Sequence, residues 1–342
     1  MLKPFLKILL FQLILRCSLG NSAVLKDSGF AEIVVLSIQT NQPTMLLYQV
    51  KTFRAFLEER IKAYIVVIKD APSREMIALY NNHCDNLGLE CISVPVGVGW
   101  DEWNAKHGFE RDSGTSWIDK GASWLHGQAI NWAWQEIVIE RFPQSIVLIT
   151  EQDVFMSATL SVQASLSPFN SESNRDLTES CGGACRRLCS IAGVPQTRLN
   201  EDSYEVEYFH PSFLVLDLRT LPDPNTIFFG PSIFNGSRLD TGGSTAEYLS
   251  AMAARSEGTE QHVGVCRLPQ RTLGRDSCFW EFRDKLGLPD VHAEAVIHLS
   301  RSSGWSGKVD DSALNGRNLC LWRTLDEALA RFDFSTHEPL LM

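Results

Sequence analysis

Between residues 32 and 96 the sequence alternates two periods, and that alternation limits the possible folds more than any other feature of the chain. "EIVVLSI" (32–38), "AYIVVIKD" (63–70) and "ECISVPV" (90–96) are short, apolar and rich in β-branched residues. That is the pattern of strands buried on both faces. Between the first two, residues 44–60 repeat Leu46, Leu47, Val50, Phe53 and Leu57 at three- and four-residue spacing, and Pro43 suits a first helical turn. Residues 73–88 read as a second helix, with Gly88 as its C-terminal cap. Strand, helix, strand, helix, strand predicts a parallel sheet with crossover helices. Such a sheet binds ligands at the carboxyl ends of its strands. The polar residues expected there are Thr40-Asn41-Gln42 and Asp70-Ala71-Pro72-Ser73, each of which also makes ordinary turn chemistry.

Further along, residues 99–120 read as a long loop over the sheet edge. Residues 123–142 read as a helix ended by Pro143, with His126 and Ile130 on one face and Trp132 and Trp134 in the core. Residues 145–150 form a further strand of the parallel set, and "EQD" follows it at once. The Ser-, Asn- and Asp-rich stretch 157–201 reads as mobile. Residues 206–218 read as one strand or a hairpin, and 235–255 as a Gly-rich turn opening an amphipathic helix. Residues 295–305 give a strand and a Ser/Gly loop, and 327–331 are part of a short closing helix.

The 342 residues, 44% hydrophobic, supply a sizeable core, and a net charge of −10 argues against nucleic acid or an anionic membrane as partner. Residues 1–23 begin with Lys3 and Lys7, run apolar from Ile8 to Leu15 and end in small residues. That is the order of a signal or anchor segment, bracketed too closely by charge for a comfortable membrane span. Either reading implies the secretory pathway or membrane association; without such a segment the chain would be cytoplasmic. In a secreted chain Asn235-Gly-Ser would be a glycosylation sequon; otherwise it is a plain Asn-Gly turn. Nine cysteines are few for a disulfide-held scaffold of this length. Cys181, Cys185 and Cys189 are too far apart on a helix to share one ion, so a buried face or one local disulfide is expected there.

Glu151 and Asp153, two apart at a strand end, would share a side if the backbone stays extended. Paired carboxylates there suit Mg2+ or Mn2+, which keep few protein ligands and take substrate phosphates. "HGQAINWAWQEIV" followed by "PQSIVLITEQDVF", with "PTMLLYQVKTFRAFL", "DTGGSTAEYL" and "VIHLSRSSGW", resembles the nucleotide-sugar-dependent glycosyltransferases of the GT-A fold. The resemblance implies a GT-A-like α/β fold, with residues 28–165 binding a nucleoside-diphosphate sugar and 166–342 facing a carbohydrate, lipid or protein acceptor. It implies Asp153 as the metal ligand of a D-x-D pattern and Glu151 as its metal- or ribose-facing partner. Asn41, Asp70 and His126 would be nucleotide-side contacts, Arg301 would close on the diphosphate, and His298 would complete the metal shell. His126 is likelier than Asn131 to face the site. Asp240, at a Gly-rich turn before a helix, is the candidate catalytic base, and equally a candidate helix cap. The sequence departs from the family pattern at Glu151, where the family carries Asp. That departure keeps open a binding protein without turnover, and a metal-dependent nucleotidyltransferase or phosphohydrolase is the other alternative.

Overall fold

A computed structural model describes residues 33–69, 73–95, 97–108, 122–166, 189–199, 204–256, 263–299 and 311–332. The signal-like segment, Asp70, Cys181, Cys185, Arg301 and most of the expected Ser/Gly loop lie outside the described residues.

The predicted βαβαβ unit is present. β1 (Ile33–Gln39), α1 (Pro43–Phe56), β2 (Ile61–Ile68), α2 (Arg74–Leu87) and β3 (Glu90–Ser93) follow in order. β1 is buried along its whole length, as its unbroken apolar run requires. Ser73 Oγ accepts from the Met76 N–H at the start of α2, and Gly88 ends that helix in the left-handed conformation at φ 62°. Residues expected as loop instead form a short helix, α3 (Trp100–Lys106), whose Trp103 Nε1 donates to Glu136 Oε1 at 2.9 Å. α4 (Ala122–Ala133) then passes through a π-helical turn, Trp134–Val138, into a last turn at Ile139–Arg141. Trp134 is fully buried there, and its Nε1 donates to the Pro224 carbonyl at 2.8 Å.

β4 (Ile146–Glu151) pairs with β1 in parallel, and a two-residue turn leads into β5 (Val154–Met156). After α5 (Val162–Ser165) come β6 (Ile191–Leu199) and β7 (Glu205–Asp217). β8 (Ser232–Phe234) and β9 (Ser237–Leu239) follow, then α6 (Ser244–Ser256). Asn235 (φ 49°) and Gly236 (φ 77°) are both left-handed between β8 and β9, so the Asn-Gly pair is a tight hairpin turn. β10 (Val265–Arg267), β11 (Gln270–Thr272), α7 (Arg283–Leu286), β12 (Asp290–His292), β13 (Val296–His298) and α8 (Asp311–Arg331) complete the order.

The central sheet runs β10-β6-β7-β4-β1-β2-β3. It is parallel except for β7, which is antiparallel to both β4 and β6. This is a mixed α/β fold with a large, mostly parallel sheet flanked by helices. β6 corrects the reading of 157–201 as a mobile stretch: its residues 191–194 are buried beside β7. α8 contains the closing helix expected around 327–331 but is long, at 21 residues, where a short one was expected. A second sheet, β11-β12-β13-β5, is antiparallel throughout. Its alternate residues Val291, Ile297 and Phe155 pack with Leu321 and Leu325 of α8. Disulfides join Cys84 to Cys91, Cys189 to Cys266 and Cys278 to Cys320. The pairing of Cys189 is therefore long-range, where a buried face or one local bridge was expected.

Candidate functional site

The β4–β5 turn carries the two acids. The backbone is not extended through it: Glu151 ends β4, Gln152 and Asp153 form the turn, and Val154 opens β5. Two buried glutamines fix this turn. The Gln49 side-chain amide, from α1, donates to the carbonyls of Glu151 and Val154. Its oxygen accepts from Ser37 Oγ at 2.6 Å, Gln39 Nε2 at 2.9 Å and the Tyr64 hydroxyl at 3.1 Å. Gln152 Oε1 accepts from the N–H groups of Thr40 at 3.0 Å and Asn41 at 3.3 Å, and its Nε2 donates to Asn41 Oδ1 at 3.4 Å. Asn41, expected on the nucleotide side, is thus tied at the carboxyl end of β1 to the residue between the two acids.

Histidines from three elements surround Glu151. His126 Nε2, on α4, lies 2.9 Å from Glu151 Oε1. His210 Nδ1, on β7, lies 3.6 Å from the same oxygen. On β13, His298 Nε2 lies 3.8 Å from Asp153 Oδ1. One donor atom each from Glu151, Asp153 and His298 fall within 4.8 Å of one another. Burial works to raise the Glu151 carboxyl. The charges of His126, His210 and His298 outweigh it, and hold the group well below the usual carboxylate range. Glu151 is therefore ionised at neutral pH despite its burial. Asp153 faces a further cation from α8: burial lowers the Arg317 guanidinium from its ordinary value, and the charge of Asp153 opposes that shift.

His126 turns toward Glu151, whereas fully buried Asn131 accepts from the Phe229 N–H at 2.7 Å through Oδ1 and anchors α4. Gly127 permits that anchor: a Cβ there would stand 2.6 Å from Gly230 Cα. Asp240 is exposed, and its Oδ1 accepts from the Thr241 N–H at 2.7 Å. α6 begins four residues on, so Asp240 belongs to the turn and is not at the helix cap. Gly242 in the same turn has φ 89°, and any Cβ would meet the Phe209 carbonyl oxygen at 2.1 Å. The charge of Asp240 is felt at His210, which burial holds below its ordinary value while Glu151 acts in the opposite direction. Asp240 thus lies within electrostatic range of the His210–Glu151 pair.

Sequence reasoning missed His210, His292, Gln49, Gln152 and Arg317. His210 had a signal, "FHPSF". Pro211 has no N–H to donate, and the pairing of β6 with β7 shifts register between Gly193 and Pro195, opposite residues 209–214. A proline inside a strand marks a bulge, and bulges re-aim the neighbouring side chain. His292 is 2% exposed, its ring centroid 5.4 Å from that of His298, and burial pushes it down to about 3. A separate cavity of about 670 Å3, lined by residues such as Phe56, Arg271, Phe279 and Arg323, contains none of these site residues.

No protein-family model matches the chain, and no curated protein does. Among solved structures, the mannosyltransferase PcManGT from Pyrobaculum calidifontis, in complex with GDP-Man and Mn2+, is similar at a TM-score of 0.34 and 13% identity, over 91% of this chain and 77% of that one. Mouse xyloside xylosyltransferase 1, in its apo form, is similar at 0.32 and 11%, over 68% and 78% respectively. Both neighbours are glycosyltransferases, and TM-scores this low transfer neither a residue role nor a ligand.

Proposed function

We propose that the chain is a cation-dependent glycosyltransferase of the GT-A kind, moving a sugar from a nucleoside-diphosphate donor to a hydroxyl-bearing acceptor. The observation that carries this reading is the convergence of Glu151, Asp153 and His298 to within 4.8 Å at the carboxyl end of a parallel strand. Two carboxylates and one imidazole fit Mn2+ well, and Mg2+ less well because it favours oxygen alone. Ligands about 2.0–2.2 Å from one ion need only a small closure of that triangle. When bound, the ion would neutralise charge on the leaving diphosphate.

The chain's own residues supply the rest. His126 and His210 approach the Glu151 carboxylate at 2.9 and 3.6 Å, from α4 and β7. Gln49 and Gln152 hold the turn, and Asn41, bonded to Gln152, would contact the nucleoside. Asp240 would accept the proton of the acceptor hydroxyl, and Asp70 and Arg301 are proposed donor contacts from the resemblance alone.

Glu151 also favours a second reading. Its oxygen already leans on His126 at 2.9 Å, as it would in a nucleotide-sugar-binding protein without turnover. A panel of nucleoside-diphosphate sugars assayed with Mn2+ for binding, donor hydrolysis and transfer separates the two. Transfer that falls about a hundredfold or more in Asp153→Asn supports the enzyme. Tight binding with no hydrolysis or transfer supports the binding protein, and donor binding with the same Mn2+ dependence in Asp153→Asn would sink both.

A further inference from the structure

We propose that Asp290, His292 and His298 form a second cation site, built for a borderline ion such as Zn2+. β12 and β13 place the three together by register alone. Asp290 stands directly opposite His298 across the antiparallel pair, and His292 is two residues along the same strand as Asp290. All three side chains therefore leave the same face of the sheet. One donor atom from each falls within 4.8 Å of the others. The intervening residues Val291 and Ile297 take the opposite face and pack against α8.

His292 gives the independent observation. It is 2% exposed, and its Nδ1 has no hydrogen-bond partner. A buried ring nitrogen without a partner is costly, and a cation at that nitrogen removes the cost. Asp290 is oriented from the next strand, because Thr272 Oγ1 donates to its Oδ1 at 2.8 Å. Outer hydrogen bonds of this kind orient metal ligands.

The donor set differs from that of the first cluster. Two imidazoles and one carboxylate suit zinc with one position left open, whereas the carboxylate-rich set suits Mn2+. His298 borders both clusters, and its ring has two nitrogens with which to do so. Asp290 and His292 play no part in the proposed donor site, so the zinc site stands without the transferase reading.

The test uses the full chain, stripped of metal, titrated calorimetrically with ZnCl2 alone in a Glu151→Gln/Asp153→Asn background that removes both carboxylates of the first cluster. Expected is one bound Zn2+, with affinity falling about tenfold or more on adding either Asp290→Asn or His292→Gln. Co2+ in place of Zn2+ should give d–d absorption that the same variants abolish. His292 is buried, so circular dichroism of each metal-free variant checks folding. If His292→Gln fails to fold, Asp290→Asn alone decides. No Zn2+ binding in the background protein, or unchanged affinity in the folded variants, would overturn the site. Loss of donor transfer in the background protein, with Zn2+ binding intact, concerns only the first cluster.

Discussion

At the scale of single residues, position depends on groups the sequence does not mark as functional. Gln49 is fully buried, and its amide holds both ends of the turn that presents Glu151 and Asp153. Gln49→Leu keeps the volume roughly but removes five hydrogen-bonding contacts at once. Each buried partner left without a hydrogen bond costs about 1–3 kcal/mol. The expected outcome is a clear fall in melting temperature without metal, together with weaker Mn2+ binding by calorimetry. Unchanged Mn2+ affinity in the folded variant would show that the turn holds its shape without Gln49. The two acids and His298 were legible because strand ends in a parallel sheet point to ligands, and His126 because a helical face could be drawn. Gln49 and Gln152 were not: their roles depend on partners as distant as 112 residues along the chain, and no local period encodes such a partner. His292 was not either, because its neighbours Asp290 and His298 meet it only through the pairing of two three-residue strands.

At the scale of elements, what could be read and what could not divide by length. β1, β2, α1 and α2 are long enough for a period to show, and the structure places them within a few residues of the expected bounds. β5, β11 and β12 are three residues each, too short for a period, and are defined only by pairing; β13, equally short, was read only because its apolar run at 295–297 stands out. Yet that small sheet brings His298 to Asp153 and Asp290 to His292. One contact between elements has a checkable pH dependence. At the edge of the sheet Glu90 of β3 takes both Arg141 guanidinium nitrogens, Nη1 and Nη2, at 2.7 Å each. That hydrogen bond from Arg141 holds the Glu90 carboxyl below its usual range, against a smaller opposing effect of burial. A depressed folded value means the contact stabilises above the unfolded carboxyl value, about 4.3, and is lost as pH falls through the lower folded value. Both partners are more than two-fifths exposed, so solvent screening keeps the contribution to about 1 kcal/mol or less. Glu90→Gln should therefore be slightly less stable than the parent at pH 7 in denaturant titrations, with the difference vanishing in acid. A difference that grows in acid would contradict the assignment.

At the scale of the whole molecule, three disulfides cross-link the fold at separate places. Cys84–Cys91 closes the α2–β3 connection, Cys189–Cys266 joins the starts of β6 and β10, and Cys278–Cys320 joins the segment before α7 to α8. Composition argued against such a frame because nine cysteines look sparse over 342 residues. The pairings span 7, 77 and 42 residues, so only the first was within reach of local reading. Bridges of this kind form and persist in oxidising compartments and are rare where thiols are kept reduced. Two measurements check the frame. With six of the nine cysteines paired, denaturation without reductant should leave at most Cys17, Cys181 and Cys185 open to a thiol reagent. On the chain-entropy account the 77-residue loop is worth about 4–5 kcal/mol and the 7-residue loop about 2–3 kcal/mol. Replacing Cys189 and Cys266 with alanine should therefore lower the denaturation midpoint more than replacing Cys84 and Cys91. Reductant should destabilise the parent in the same sense. Four or more reactive thiols in protein folded under oxidising conditions, or a parent melting temperature indifferent to reductant, would contradict the three pairings.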